Sequence, residues 1–365
     1  MRFSGFDDEW IEEKLGNLVQ IKSGECTKNL ITGIDNSIPY FKVEQLNNSL
    51  KYQIKTPYFI NDKSKIVNKG SIIFPKRGAA ILLNKIRILN QDSFMDTNLM
   101  TLTPNNKLYN EFLYYFIYKE NLSKIADTTS IPQLNNKHIK PYPIKLPSFE
   151  EQLKISKFIS SVDKKVSLLS QNLEIFNDFK KGLLQQIFTQ KLRFNFDDEW
   201  KQYKLKDVLT VKSSSISINQ LEENTGDYPL YGASGFLKNI DFCEMDVDYI
   251  SIVKDGSGVG NLSFHEKNSS IVNTSQYLLP KKNFNINFLY YLLQTINLMK
   301  YVNGSSIPHI YFKDYCIEKI NIPSLDEQEK IGKLFVDVDI TMENLNKNIN
   351  ATQEFKKGLL QQMFV

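Results

Sequence analysis

Residues 179–188 read FKKGLLQQIF and residues 355–364 read FKKGLLQQMF, so one segment occurs twice at an offset of 176. The duplication extends outward in both directions. Pro147-Ser148 matches Pro323-Ser324, and Ser130-Ile131-Pro132 matches Ser306-Ile307-Pro308, at the same offset. Nearer the start the offset is 190: Phe6-Asp7-Asp8-Glu9-Trp10 recurs as Phe196-Asp197-Asp198-Glu199-Trp200, Lys14-Leu15 as Lys204-Leu205, Lys22-Ser23 as Lys212-Ser213. A fall from 190 to 176 makes the second copy 14 residues shorter inside its variable middle. A repeat at this period means two copies of one architectural unit. The plan is a first variable domain at 1–146, a first helical spacer at 147–192, a second variable domain at 193–322 and a second helical spacer at 323–365. Residues 2–10 take the place that would follow the second spacer, and they are expected to dock beside the end of the last helix.

Each spacer opens with Pro and a capping-box pattern, Ser148-x-x-Glu151 and Ser324-x-x-Glu327, in which Ser and Glu satisfy each other's backbone amides. Apolar residues then recur at alternating spacings of four and three. They are Ile155, Ile159, Val162, Val166, Leu169 and Leu173 in the first, and Ile331, Phe335, Val338, Met342, Leu345 and Ile349 in the second. Such a sustained heptad seam predicts a coiled coil. At 1.5 Å per residue, the stretch before Gly182 is roughly 50 Å long. A long helix with an apolar stripe needs a partner, and its near-duplicate is the economical one. A domain between the two helices makes the pair antiparallel. Gly182 and Gly358 are expected to mark a kink or a break. The fold class is α+β: two mixed α/β domains separated by two long helices in an antiparallel coiled coil with pseudo-two-fold symmetry.

The variable domains share a scaffold. Strands are predicted at Ser71–Phe74, Tyr249–Val253 and Ser270–Val272, and buried helices at Phe112–Ile117 and Phe288–Leu298. Gly256-Ser257-Gly258-Val259-Gly260 has no helical pattern after it and reads as a tight turn, not a dinucleotide-binding loop.

The chain has 365 residues, 41% of them hydrophobic, and a net charge of +4. Disorder throughout is excluded, and with no apolar run of about 18 residues no membrane span is expected. MRFSGFDDEW lacks the apolar stretch of a signal peptide. Cys26, Cys243 and Cys316 fit neither a disulfide framework nor a zinc knuckle, so a cytoplasmic location is expected. The charge is uneven. Residues 11–146 hold 19 Lys and Arg against 11 Asp and Glu, whereas residues 201–322 hold 12 against 12. A basic first domain suits a phosphate backbone. No P-loop is present, no metal-binding histidine spacing and no G-x-S-x-G elbow. Glu12-Glu13 and Glu222-Glu223 read as solvated. Two variable readers and a spacer without a catalytic set describe an adaptor.

Taken in order, these features resemble the specificity (S) subunit of type I restriction–modification systems. The resemblance rests on Pro147-x-x-Glu150-Glu151-Gln152, Pro323-x-x-Asp326-Glu327-Gln328, the twin FKKGLLQQ, Tyr231-Gly232-Ala233-Ser234-Gly235 and the D-G-S-G-V-G turn. It implies a non-catalytic subunit that binds double-stranded DNA, each domain reading one short half-site across a gap set by the coiled coil. It also implies two modification subunits that methylate adenine with S-adenosylmethionine, and restriction subunits that add ATP- and Mg-dependent translocation and cleavage. This chain itself is expected to bind no cofactor and no metal. The first domain departs from the pattern, having Pro39-Tyr40-Phe41-Lys42-Val43-Glu44 where the second has Y-G-x-x-G.

Phosphates want Lys, Arg and small polar donors, and base edges want Arg, Asn, Gln, Ser and Thr. The candidates in the first domain are Lys76, Arg77, Asn84, Lys85 and Arg87 after a strand, and Gln133, Asn135 and Lys137 after S-I-P. In the second they are Tyr231, Ser234, Lys254, Ser257, Gln276, Ser305, His309 and Lys313. Two other classes remain open on the residues alone: a coiled-coil scaffold that never touches DNA, and a nuclease with an atypical acidic site.

Overall fold

Buried strands and an aromatic helix recur in the order the repeat dictates. The computed structural model describes residues 1–365 except 28–29, 32–36, 63, 65, 128–130, 222 and 365; Ser130 and Glu222 therefore lie outside the described residues. The chain forms two compact units, residues 1–169 with 348–365 and residues 170–347. These cut across the four-segment plan in the middle of each long helix.

In unit 1, Ile11–Lys14 pairs antiparallel with Pro143–Leu146, the strand that leads into Pro147. A five-stranded sheet follows in the order Val19–Ser23, Leu99–Pro104, Ile72–Pro75, Arg87–Leu89, Tyr52–Gln53. A three-stranded sheet sets Ile38–Phe41 between Phe59–Ile60 and Phe94–Met95. The helix Asn110–Glu120 shares one core with the larger sheet through Phe112, Leu113, Tyr115 and Ile117 against Ile72, Phe74 and Leu102.

Unit 2 repeats this arrangement. Lys201–Lys204 pairs with Lys319–Ile322. The larger sheet runs Leu209–Ser213, Ser275–Pro280, Tyr249–Val253, Leu262–His265, and the smaller sets Tyr228–Gly232 between Gly235–Ile240 and Ser270–Ile271. All five residues of Tyr249–Val253 are buried, and Ser251, the polar residue at the centre of this otherwise aromatic and β-branched run, is hydrogen-bonded to His265 Nε2 at 2.9 Å. The aromatic helix is Ile286–Gln294, shorter at its C-terminal end than the sequence pattern suggested. Gly256 and Gly260 adopt φ of +92° and +84°, and the strand Leu262–His265 follows; the glycine-rich segment is a turn. Length differs between the units mainly beside Pro39 and Pro229. Residues 42–58 link the central strand to its antiparallel neighbour in unit 1, where unit 2 needs only the hairpin turn at 233–234.

The long helices are Phe149–Phe188 and Leu325–Met363. Neither Gly182 nor Gly358 interrupts them. Burial of Leu183 and Ile187, and of Leu359, Leu360 and Met363, carries each helix through its glycine. Ile155, Ile159, Val162, Ile331, Phe335, Val338 and Ile349 are buried, and Val166, Leu169, Leu173, Met342 and Leu345 are half-buried. Inside each unit the two helices run antiparallel. In unit 1, Arg2 links Glu151 to the chain end, where the Met1 amine donates to Gln362 O at 2.7 Å, and further along Asp163 pairs with Lys356. In unit 2, Arg193 reaches Glu327, and further along Asp339 pairs with Lys180.

The capping boxes form only in part. Ser148 Oγ accepts from Glu151 N at 3.3 Å, but Ser324 Oγ is buried without a partner. Both glutamates are diverted: Glu151 accepts from Arg2 Nε and Nη2 at 3.0 and 2.8 Å, and Glu327 from Arg193 at 3.2 and 2.8 Å. A carboxylate with almost no solvent exposure requires a bidentate cation more than the cap amide requires a second acceptor. The adjacent glutamines anchor the helix starts. Gln152 Nε2 donates to Pro147 O and its Oε1 accepts from Tyr109 N; Gln328 does the same with Pro323 O and Asn285 N. Residues 2–10 dock as expected: Phe3 and Trp10 pack on the unit 1 core, and Lys154 lies over Phe3 and Phe6 just as Lys330 lies over Phe194 and Phe196.

Candidate nucleic-acid interface

In unit 1 the strand Ile72–Pro75 emerges into Lys76-Arg77-Gly78, and residues 132–134 are brought against it. Gly78 N donates to Pro132 O at 2.9 Å and Leu134 N to Lys76 O at 2.8 Å. Asp127 and Gln133 exchange backbone bonds at 2.9 and 3.0 Å. Arg77, Gln133 and Asp127 thus sit side by side on three short extended segments. Gly78 has a φ of +85°, a conformation that glycine adopts at little cost. Unit 2 builds the same frame. Gly256 N donates to Pro308 O at 2.9 Å, Ile310 N to Lys254 O at 2.9 Å, and Asn303 and His309 exchange bonds at 2.8 and 2.7 Å. Here the three adjacent residues are Asp255, His309 and Asn303.

This frame gathers Lys76, Arg77, Gln133, Asn135 and Lys137 in unit 1. Arg77 and Lys137 are exposed. Lys76 is half-buried, and that burial holds its ammonium below the usual lysine range. Lys137 pairs with Asp127 at 3.2 Å and His138 Nε2 lies 3.3 Å from the same carboxylate. Asn135 caps the turn Asn136–Ile139, its N donating to His138 Nδ1 at 3.1 Å. In unit 2 the frame gathers Lys254, Ser257 and His309; Ser257 and Ser305 are exposed, and Lys254 Nζ pairs with Asp255. His309 packs against Tyr311 at 5.0 Å, and Lys313 Nζ lies over that ring. Ser234 is exposed at the hairpin tip, while Tyr231 packs on Phe236 and at 4.4 Å on His265. His265 is buried, which pushes its imidazole down to about 4.

Four candidates are committed within the fold. Arg87 spends its guanidinium on backbone: Nε donates to Ser49 O at 2.6 Å, Nη1 to Ile86 O at 2.6 Å and Nη2 to Leu46 O at 2.7 Å. It clamps the turn Val43–Asn48 and has no fork left for a base edge. Asn84, at φ +45°, donates to Tyr118 O at 3.0 Å. Lys85 donates to Asn47 Oδ1 at 2.5 Å. Gln276 donates to Ser213 Oγ at 3.1 Å. Sequence spacing placed these side chains in loops, but Arg87 and Gln276 stand on the strands Arg87–Leu89 and Ser275–Pro280, and each of the four bonds to a neighbouring part of its own domain. Asp127 and Asn303, which complete the frame in the two units, match at the 176 offset but belong to no motif in the sequence.

The three free cysteines form no disulfide. Among the described residues, no group of His, Cys, Asp and Glu is placed to hold a metal ion, and no helix is long and apolar enough to cross a membrane.

The family model described as the type I restriction modification DNA specificity domain matches residues 7–175 and again 197–353. The chain belongs to the type I restriction–modification DNA specificity family. The type I restriction enzyme MjaVIII specificity subunit of Methanocaldococcus jannaschii is 22% identical over 97% of this chain and 91% of its own. A putative type I specificity subunit of Mycoplasma pneumoniae, S.MpnORF638P, is 23% identical over 98% and 96%. The fold matches the crystal structure of the S subunit from M. genitalium with a TM-score of 0.68 over 100% of this chain and 97% of that one, at 19% identity. As a member of that family, the chain serves DNA target recognition.

Proposed function

We propose that the chain reads a bipartite, asymmetric DNA target, one short half-site through each unit's loop frame, with the gap set by the paired long helices. In this reading it is a non-catalytic adaptor. Two modification subunits dock on its helical regions and methylate adenine with S-adenosylmethionine, and restriction subunits contribute ATP- and Mg-dependent translocation and cleavage. The observation that carries the reading is the duplicated loop frame. Its backbone bonds are equivalent in the two units, yet its three adjacent side chains are Arg77, Gln133 and Asp127 in one and Asp255, His309 and Asn303 in the other. One frame with two sets of base-edge chemistry suits two different half-sites.

The basic first domain supports a larger share of salt-sensitive phosphate contact. Arg77→Gln with Lys137→Gln, in the assembled methylating complex, is expected to reduce the slope of log K against log salt by up to about 1.8, roughly 0.9 per lost phosphate contact. The half-site read by unit 2 stays the same. Fluorescence-anisotropy titrations from low to high salt measure it; an unchanged slope would place this frame away from the DNA backbone.

A further inference from the structure

We propose that Asp163 and Asp339 are positioning residues that decide how strictly the gap between half-sites is measured, an inference that rests on the reading above. Each carboxylate joins three elements of its own unit. In unit 1, Tyr115 on the recognition-domain helix donates its hydroxyl to Asp163 Oδ2 at 2.6 Å. Asp163 belongs to the first long helix, and its Oδ1 receives Lys356 Nζ of the second long helix at 2.6 Å. In unit 2 the helices exchange roles. Tyr291 donates to Asp339 Oδ2 at 2.8 Å, and Lys180 of the first long helix reaches Asp339 Oδ1 at 2.6 Å. All three positions correspond at the 176 offset: Tyr115 with Tyr291, Asp163 with Asp339, Lys180 with Lys356. Burial and the neighbouring carboxylate push both phenols up, so they stay donors. The lysine is the only polar residue on the heptad seam of FKKGLLQQ, and the triad accounts for it. Apolar residues at such a junction would hold the parts together without fixing their angle, whereas a charge-assisted network has one geometry. What the triad supplies is the orientation of each recognition domain on the helix pair.

The two junctions are unequal. In unit 1, Lys51 Nζ also donates to the Tyr115 hydroxyl at 2.9 Å, Glu111 Oε2 at 2.9 Å and Ser160 Oγ at 3.1 Å, a second tie from the recognition domain to the first long helix. The Tyr291 hydroxyl bonds Asp339 alone among the described residues. Unit 2 therefore depends on its triad more than unit 1 does.

The test is methylation of a set of DNA duplexes with cognate half-sites and gaps from two base pairs shorter to two longer, using the complex assembled with its modification partner. Asp339→Asn is expected to raise methylation at gaps one base pair off by about tenfold relative to the cognate gap, with half-site bases unchanged. Asp163→Asn is expected to give a smaller rise. If Asp339→Asn does not assemble, Tyr291→Phe, which removes only the hydroxyl, decides with the same readout. An unaltered gap profile, a change in half-site bases, or a larger effect at Asp163 overturns the proposal. A heptad insertion run in parallel separates the two levels. If it moves the preferred gap while the Asp339 variant leaves methylation at off-length gaps unchanged, the triad fails and the spacer reading stands; if it does not move the gap, the spacer reading itself fails.

Discussion

Seven residues inserted after Leu173 and seven after the equivalent Ile349 are expected to lengthen the gap in the methylated target and leave both half-sites as they were. One heptad adds about 10 Å of helix and preserves the seam, because the apolar pattern repeats every seven residues. At about 3.4 Å per base pair along a strand, the preferred gap grows by up to about three base pairs. Insertion of five residues in each helix, by contrast, rotates half of each stripe off the seam and is expected to abolish assembly. The readout is methylated-adenine mapping on a library of gap lengths. Altered half-site bases would show that the helices influence what is read and not only how far apart.

The second large effect is on stability. Phe335 is fully buried, stacks on Phe188 at 6.1 Å with an interplanar angle of 11°, and meets Tyr291 at 4.9 Å. It joins both long helices to the recognition domain of unit 2, so Phe335→Ala removes contacts with all three. The expected loss is about 3–5 kcal/mol. Ile340 lies on the same helix, off the seam and 50% exposed, and Ile340→Ala is expected to change stability by less than about 0.5 kcal/mol. Urea unfolding of the two variants decides it. Equal effects would mean that the heptad assignment does not describe which face is buried.

The repeat made the architecture legible because equivalent residues meet equivalent physical demands in both copies. A heptad seam, a strand run such as Tyr249–Val253 and an aromatic helix are local patterns, and the fold honours them. Long-range chemistry was less accessible. Ser148-x-x-Glu151 satisfies the sequence rule for a capping box, yet Arg2, 149 residues away, takes the carboxylate. Gly182 looks like a helix break until the burial of Leu183 and Ile187 is known. At the interface, the sequence located the two loops of each domain but not their junction, because the bond between Gly78 and Pro132 spans 54 residues. Arg87 has the composition of a DNA-contacting residue, but only the folded backbone shows that its donors are already occupied.

The central claim is that one chain reads two unlike half-sites at one fixed separation. Mapping methylated adenines across a genome whose type I methyltransferase uses this chain tests it most directly. The account predicts a single asymmetric motif of two different short sequences separated by one constant number of unread bases. A continuous motif, a palindrome, or two half-sites at freely varying distances would contradict it.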